Sequence, residues 1–371
     1  MKRTCFAFVL LISLLILGGG CRYNPFNRFF AVNEPDSLFT GKKYVVQRPF
    51  KFPVIANKYA DSMTCEGVEL GRRLFYDKHL SQDGKKSCAS CHFLQYALSD
   101  SGNARSINAT GVTRRNTPAL QNLLWSKDFF WDGKLNELSA QANDAAHNEL
   151  AIVSDITVSY LKTDSVYVHL FKKAFGRPGD ITENKIDKAL QQFMMSIVSC
   201  NSKFDRVKRG EDRFTLSEQK GLNIFSSDTG GCFRCHNSGG GSTFLLTDNL
   251  FKNNGLDSVN TVYEFPDSGR GGVTHVISDY GKFKVPSLRN VAVTGPYMHD
   301  GRYATLQQVI NFYSDSTRLS PTVDPLIIFL FKGKSFHHLS PIQKGDLLNF
   351  LTTLTDSSFL HNSLLSDPFK Q

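Results

Sequence analysis

Two pentapeptides carry the most specific chemistry in this 371-residue chain: Cys88-Ala89-Ser90-Cys91-His92 and Cys232-Phe233-Arg234-Cys235-His236. In each, two thiols spaced by two residues can reach the two vinyl groups of one porphyrin, and the adjoining imidazole can turn onto its iron. The spacing predicts two covalently bound c-type haems, with His92 and His236 as iron ligands. A zinc or thioredoxin-type reading would require further ligands or a βαβ pattern.

The amino terminus suits that chemistry. Met1-Lys2-Arg3 supplies a positive start and Phe6 to Leu17 an apolar run too short to span a bilayer comfortably, so residues 1–21 read as an export signal outside the fold. Gly18-Gly19-Gly20-Cys21 resembles a bacterial lipoprotein cleavage site, with Leu17 one place further back than usual, and predicts a lipid anchor on Cys21 in the periplasm or cell envelope. Ordinary signal cleavage and an uncleaved anchor are the alternatives. With Cys5 in the signal and Cys21 lipidated, Cys65 and Cys200 are left over, and whether they pair stays open. Hydrophobic residues at 41% and charged residues at 21% describe an ordinary globular body with room for two domains. The formal charge of +9 comes without a long basic run; it favours acidic partners or membrane headgroups and gives no sign of nucleic-acid binding.

The elements that must position these groups repeat. Glu69-Leu70-Gly71-Arg72-Arg73-Leu74-Phe75 leads into the first pentapeptide and Glu218-Gln219-Lys220-Gly221-Leu222-Asn223-Ile224-Phe225 into the second, so the chain reads as duplicated. The expected fold is mainly α: two cytochrome-c-like helical haem domains at 61–205 and 206–371, behind a linker at 22–60, with long loops and little β structure. Thr215 and Glu218 have capping-box spacing. Asp180 is placed to cap a helix carrying Ile186, Leu190, Phe193, Met194 and Ile197, with Gly210 as its stop. Ser340 and Pro341 start a helix whose Leu347, Leu348, Leu351 and Leu354 form an apolar stripe, most simply against the second haem. Residues 237–282, rich in Gly, Ser, Asn and Asp, read as long loops with a short hairpin.

From about Glu66 to Thr355 the chain resembles the bacterial di-haem cytochrome c peroxidases and their relative MauG, the methylamine dehydrogenase maturation enzyme. The matching pieces are Leu70-Gly71-x-x-Leu74-Phe75, Ser87 to His92, Arg115-Asn116-Thr117-Pro118, Phe130-Trp131-Asp132-Gly133, the second haem unit, Lys284 to Val291, and Gly295 to Gly301. The resemblance implies that His92 holds the peroxidatic iron and His236 the electron-transfer iron. Typical members close the resting peroxidatic haem with a second histidine before the Arg-Asn-x-Pro motif. Here no histidine occurs from Phe93 to Ala146, so the first iron is expected to keep an open or water-bound position, as in MauG, unless His147 swings in.

For the second iron, the place of the family's methionine ligand falls on Tyr313, where MauG has tyrosine; Met298 is the rival. Leu306, Val309, Ile310 and Tyr313 share a helical face after a Thr305 and Gln308 capping pair, which points the ring inward, as it would a plain core tyrosine. Phenolate ligation favours ferric iron, whereas methionine raises the potential. His299 carries over as a residue beside the second haem. Peroxide O–O cleavage needs a proton-moving base and hydrogen-bond donors. The resemblance assigns these to Gln141 and Glu149, in a loop shortened or rearranged relative to the family; a solvated carboxylate is the alternative for Glu149. Trp131 matches the tryptophan between the haems, against the alternative of a large core aromatic. Asn116, Thr294 and Pro296 match the positions that bind a calcium ion between the domains.

These residues predict an exported di-haem peroxidase that reduces hydrogen peroxide with electrons from a small cytochrome c or cupredoxin, a homodimer being compatible with the family. The alternatives are MauG-like oxidation of residues on a partner protein and a non-enzymatic electron carrier.

Overall fold

The computed structural model describes residues 41–55, 62–100, 115–176, 181–237, 244–327 and 338–370, with the backbone of 107–108 and 111–112. The expected signal, Cys21 and most of the linker lie outside the described residues. The fold is mainly helical, as expected, and the described strands are two residues each: β1 (Ile107–Asn108) pairs antiparallel with β2 (Gly111–Val112), and β3 (Phe251–Lys252) with β4 (Phe283–Lys284).

Helix α1 (Cys65–Tyr76) begins where the Thr64 hydroxyl accepts from Gly67 N at 3.0 Å, satisfying an otherwise orphaned donor of the first turn. Its buried face, Leu70, Gly71, Leu74 and Phe75, has helical spacing. After α2 (Leu138–Leu150), α3 (Ser154–Thr163) and α4 (Ser165–Phe175), helix α5 (Glu183–Ser196) crosses α1 at Gly71. A Cβ on Gly71 would strike the Ala189 carbonyl oxygen, so only glycine lets the two backbones approach.

The helix expected from an Asp180 cap to Gly210 is two helices. Asp180 lies outside the described residues, the cap position belongs to Thr182, and α5 ends at Ser196. After an extended stretch, α6 (Lys203–Lys208) restarts on a Ser202 and Asp205 capping box, and Gly210 follows it at φ 79°. The expected domain boundary at 205/206 therefore falls inside α6.

The Thr215 and Glu218 box starts α7 (Leu216–Phe225). A short α8 (Gly271–Thr274) interrupts the long loop, and the expected local hairpin is instead the β3–β4 pair closing its two ends. Thr305 with Gln308 caps α9 (Leu306–Asp315), and Ser340 with Gln343 caps α10 (Pro341–Thr352), whose first residue is proline; α11 (Ser357–Leu360) follows. Helix α10 packs on α7 at Gly221, where a Cβ would strike the Asp346 carbonyl oxygen.

One apolar cluster runs from Phe52 to Leu365 through both halves. A buried ion pair crosses it: Arg289 donates from Nη1 and Nη2 to Asp205 at 2.9 and 2.7 Å and from Nε to the Phe244 carbonyl at 2.6 Å. Cys65 is a free thiol, so Cys65 and Cys200 do not pair. Among the described residues no helix is long and apolar enough to cross a membrane.

Candidate active site

His92 and His236 are prepared in the same way. Cys88–Ser90 and Cys232–Arg234 each form one tight helical turn, and the histidine follows with its backbone N–H bonded to the first cysteine's carbonyl. The chain then bends so that a leucine in the left-handed region, Leu98 at φ 58° or Leu246 at φ 55°, turns its carbonyl onto the imidazole. His92 Nδ1 lies 2.7 Å from Leu98 O and His236 Nδ1 3.3 Å from Leu246 O. A proton on Nδ1 leaves the Nε2 lone pair free, as an axial ligand requires. Burial pushes both imidazoles down to about 4, against the opposing carbonyl bonds, which keeps them neutral.

Both imidazoles line one cavity of about 770 Å³. Cys232 and Cys235 reach it directly, and a side recess of about 40 Å³ holds Cys88 and Cys91 beside His92. Two porphyrins tethered to these thiols fit such a chamber. Gln141 and Glu149 line both the chamber and the recess. They stand on α2, not on the expected loop. Leu138, Ala142, Ala146 and Leu150 bury one face of that helix, packing it on α5, while Gln141, Ala145 and Glu149 turn to the cavity. Gln141 Oε1 is buried without a hydrogen-bond partner. Burial raises Glu149 above the usual carboxylate range, with Lys134 opposing. His147 is turned away from the cavity: its ring lies 2.9 Å from the Asn143 carbonyl, 3.1 Å from Ser154 Oγ and 3.2 Å from Glu183. It is not poised to close the first iron.

Trp131 lies on the wall shared by both motifs. Its Nε1–H donates to the Asn116 carbonyl at 2.8 Å, and its own carbonyl accepts from Lys284 N at 2.8 Å. The turn that carries it is clamped from two directions. Arg115 pairs with Asp132 at 2.6 Å and Asp267 at 2.7 Å, and Arg270 donates to the Gly133 carbonyl at 2.6 Å. Asn116 also donates from N to the His299 carbonyl at 2.7 Å and from Nδ2 to the Pro296 carbonyl at 2.6 Å, while its Oδ1 is buried without a partner. Thr294 lines the same chamber.

On the second side, Tyr313 and Met298 both face the chamber. Burial raises the Tyr313 phenol and a bond from Asn254 opposes this; the phenol shares the chamber wall with Cys232 and Cys235. Asn254 Nδ2 donates to Tyr313 Oη at 2.9 Å and lies 3.6 Å from Met298 Sδ. His299 is buried, stacked on Phe283 at 3.6 Å between ring centres. Burial lowers its imidazole, with Asp300 opposing. Lys284 also reaches the chamber; burial brings its ammonium down to about 8, and its Nζ donates to the Asp128 carbonyl at 2.6 Å. Sequence reading gave no role to Asn254, Lys284 or the partners of Arg115. Lys284 and Arg115 stood in quoted motifs, but their contacts are non-local.

The family model of the di-haem cytochrome c peroxidases matches residues 65–213. MauG of Methylorubrum extorquens is 35% identical over 301 residues, covering 80% of each chain. The chain belongs to the di-haem cytochrome c peroxidase family. Another relative, cytochrome c551 peroxidase of Nitrosomonas europaea, is 33% identical over 265 residues, covering 70% of this chain and 75% of that one. The crystal structure of a MauG-like protein associated with microbial copper homeostasis superposes with a TM-score of 0.79 at 32% identity, covering 88% of this chain and 100% of that one. As a member of the di-haem peroxidase family the chain is an oxidoreductase carrying two c-type haems.

Proposed function

We propose that this chain reduces hydrogen peroxide to water with electrons from a small redox protein, a cytochrome c or a cupredoxin. Cys88, Cys91 and His92 hold one haem, and Cys232, Cys235 and His236 the other. So held, the first haem would supply an iron to bind peroxide and the second an iron to pass electrons. Glu149 takes the proton from one peroxide oxygen and returns it to the other; its raised affinity for protons suits both halves of that transfer. Gln141 places a carboxamide at the same wall to bind the departing hydroxide. Trp131 offers an oxidisable indole between the two attachment sites. The observation that carries this reading is one chamber lined by both imidazoles, with Glu149 and Gln141 beside His92 and the next histidine along the chain, His147, bonded elsewhere.

Peroxide turnover with a reduced donor tests it, and a protein that exchanges electrons but never consumes peroxide would be a carrier. Electron paramagnetic resonance of the oxidised protein should give one high-spin and one low-spin ferric haem; two low-spin signals would remove the open site. Tyr313, on the chamber wall with Cys232 and Cys235, favours a second reading, MauG-like oxidation of residues on a partner protein. Peroxide-dependent modification of a partner, detected by mass, would select it.

Two further assignments belong to the same reading. The unpartnered Asn116 Oδ1 offers a hard oxygen donor on the wall that Pro296 and Thr294 also line, and we read these three as the calcium ligands. Chelator-induced loss of activity, restored by calcium and not by magnesium, checks it. Export with lipid attachment at Cys21 is checked by release of a Cys21→Ser variant from the membrane fraction; sedimentation of the purified protein decides between monomer and homodimer.

A further inference from the structure

Residues Asn253, Asn254 and Gly255 form a rigid bracket over the second half of the chamber. Asn253 Nδ2 donates to Ser320 Oγ and Thr322 Oγ1, both at 3.0 Å, and its carbonyl accepts from Asp324 N at 2.9 Å. Gly255 N donates to Asn253 Oδ1 at 3.0 Å, and the Gly255 carbonyl accepts from Arg318 N at 2.7 Å. Gly255 sits at φ 73°, and a Cβ there would come within 2.6 Å of the Arg318 carbonyl oxygen, so the bend requires glycine. Asn254 is thereby held from both neighbours, and its side chain projects to the cavity wall.

The amide so placed reaches both side chains that compete for the second iron, Tyr313 Oη at 2.9 Å and Met298 Sδ at 3.6 Å. We propose that Asn254 decides which of them the iron receives. This rests on the reading that the His236 haem draws its other ligand from this wall. An amide N–H binds an anionic phenolate much more strongly than a neutral thioether, which is a weak acceptor. A phenolate oxygen has lone pairs enough to accept the N–H and bind a metal together. The same amide therefore secures Tyr313 and holds Met298 back by its sulfur. Asn254 is a positioning residue: it acts through Tyr313 and Met298.

The test uses the holoprotein with both haems, whose content is measured in every variant. Optical and paramagnetic resonance spectra report the ligand, and the midpoint potential of the second haem reports its donor strength. Asn254→Leu should shift the balance toward Met298 by about tenfold, the weight of one charge-assisted bond. A sulfur-to-iron charge-transfer band then develops and the midpoint rises, and adding Met298→Leu abolishes the band. Asn254→Asp keeps the shape, removes both N–H donors and should move the spectra and midpoint the same way, which covers a leucine variant that fails to fold. The proposal is overturned if both substitutions leave spectrum and midpoint unchanged while Tyr313→Phe alters them. If Tyr313→Phe changes nothing, the ligand reading fails first and this inference with it.

Discussion

Gly71 and Gly221 hold matching places in the two halves of the molecule. Each lies on the helix leading into a haem unit, each faces a backbone carbonyl of the helix packed across it, Ala189 or Asp346, and each is followed on that helix by a phenylalanine, Phe193 or Phe350. Leu98 and Leu246 match as well, in the same left-handed conformation with the same carbonyl turned to an imidazole. Beyond that frame the halves part. The first turns α2 to the chamber, with Gln141 and a protonation-prone Glu149; the second turns Tyr313, Met298 and Asn254. Holding a haem needs a rigid, repeatable scaffold, whereas the proposed difference in chemistry rests on a few side chains on a wall that packing leaves free.

The sharpest way to break the comparison is Glu149→Gln. Peroxide turnover should fall by roughly 10²–10⁴-fold, while the second-haem spectrum stays as it is. A base works ionised, so the wild-type rate should rise with pH through the raised Glu149 value and form an acid limb above the ordinary carboxylate range. The Gln variant should lose that limb; a limb that survives belongs to another group.

Next in size is the pair that joins the halves. Arg289→Met leaves a buried, uncompensated Asp205 and should cost about 3–5 kcal/mol in denaturant unfolding of the holoprotein. Burial alone would raise the Asp205 carboxyl, but the Arg289 charge and hydrogen bonds outweigh it and hold the group below its ordinary value. A carboxyl depressed on folding stabilises the fold above its unfolded value, and that contribution disappears as pH falls through the folded one. Wild-type stability should therefore decline in acid more steeply than that of an Asp205→Asn, Arg289→Met double variant.

The smallest effect tests the sameness itself. Gly71→Ala and Gly221→Ala should each destabilise by about 1–3 kcal/mol, by comparable amounts, because each pushes a methyl into the same contact. Unequal losses in thermal unfolding would mean that the repeat is one of sequence and not of packing.

What could be read in advance was local. The two pentapeptides and the capping pairs at Thr215, Thr305 and Ser340 depend on spacings of a few residues, and all three capped helices form where expected. Helix α2 escaped notice because alanines at 142 and 146 do its packing, which leaves no strong apolar period, so Gln141 and Glu149 read as loop residues. Asn254 was hidden among Asn, Gly and Asp, where composition signals only a bend; its partners Met298 and Tyr313 come from distant elements. The partners of Arg115 are equally remote in the chain. The Asp180 cap misplaced the helix start because several polar residues precede α5 and spacing alone did not choose among them.

Asn116 touches three strangers at once: the indole of Trp131, the backbone at His299 and the carbonyl of Pro296. A single short side chain and its own peptide groups thus rivet Trp131 to the segment from Pro296 to His299. Neither can drift without dragging the other, so for the electron path proposed above the spacing of these two points is a dimension set by the fold.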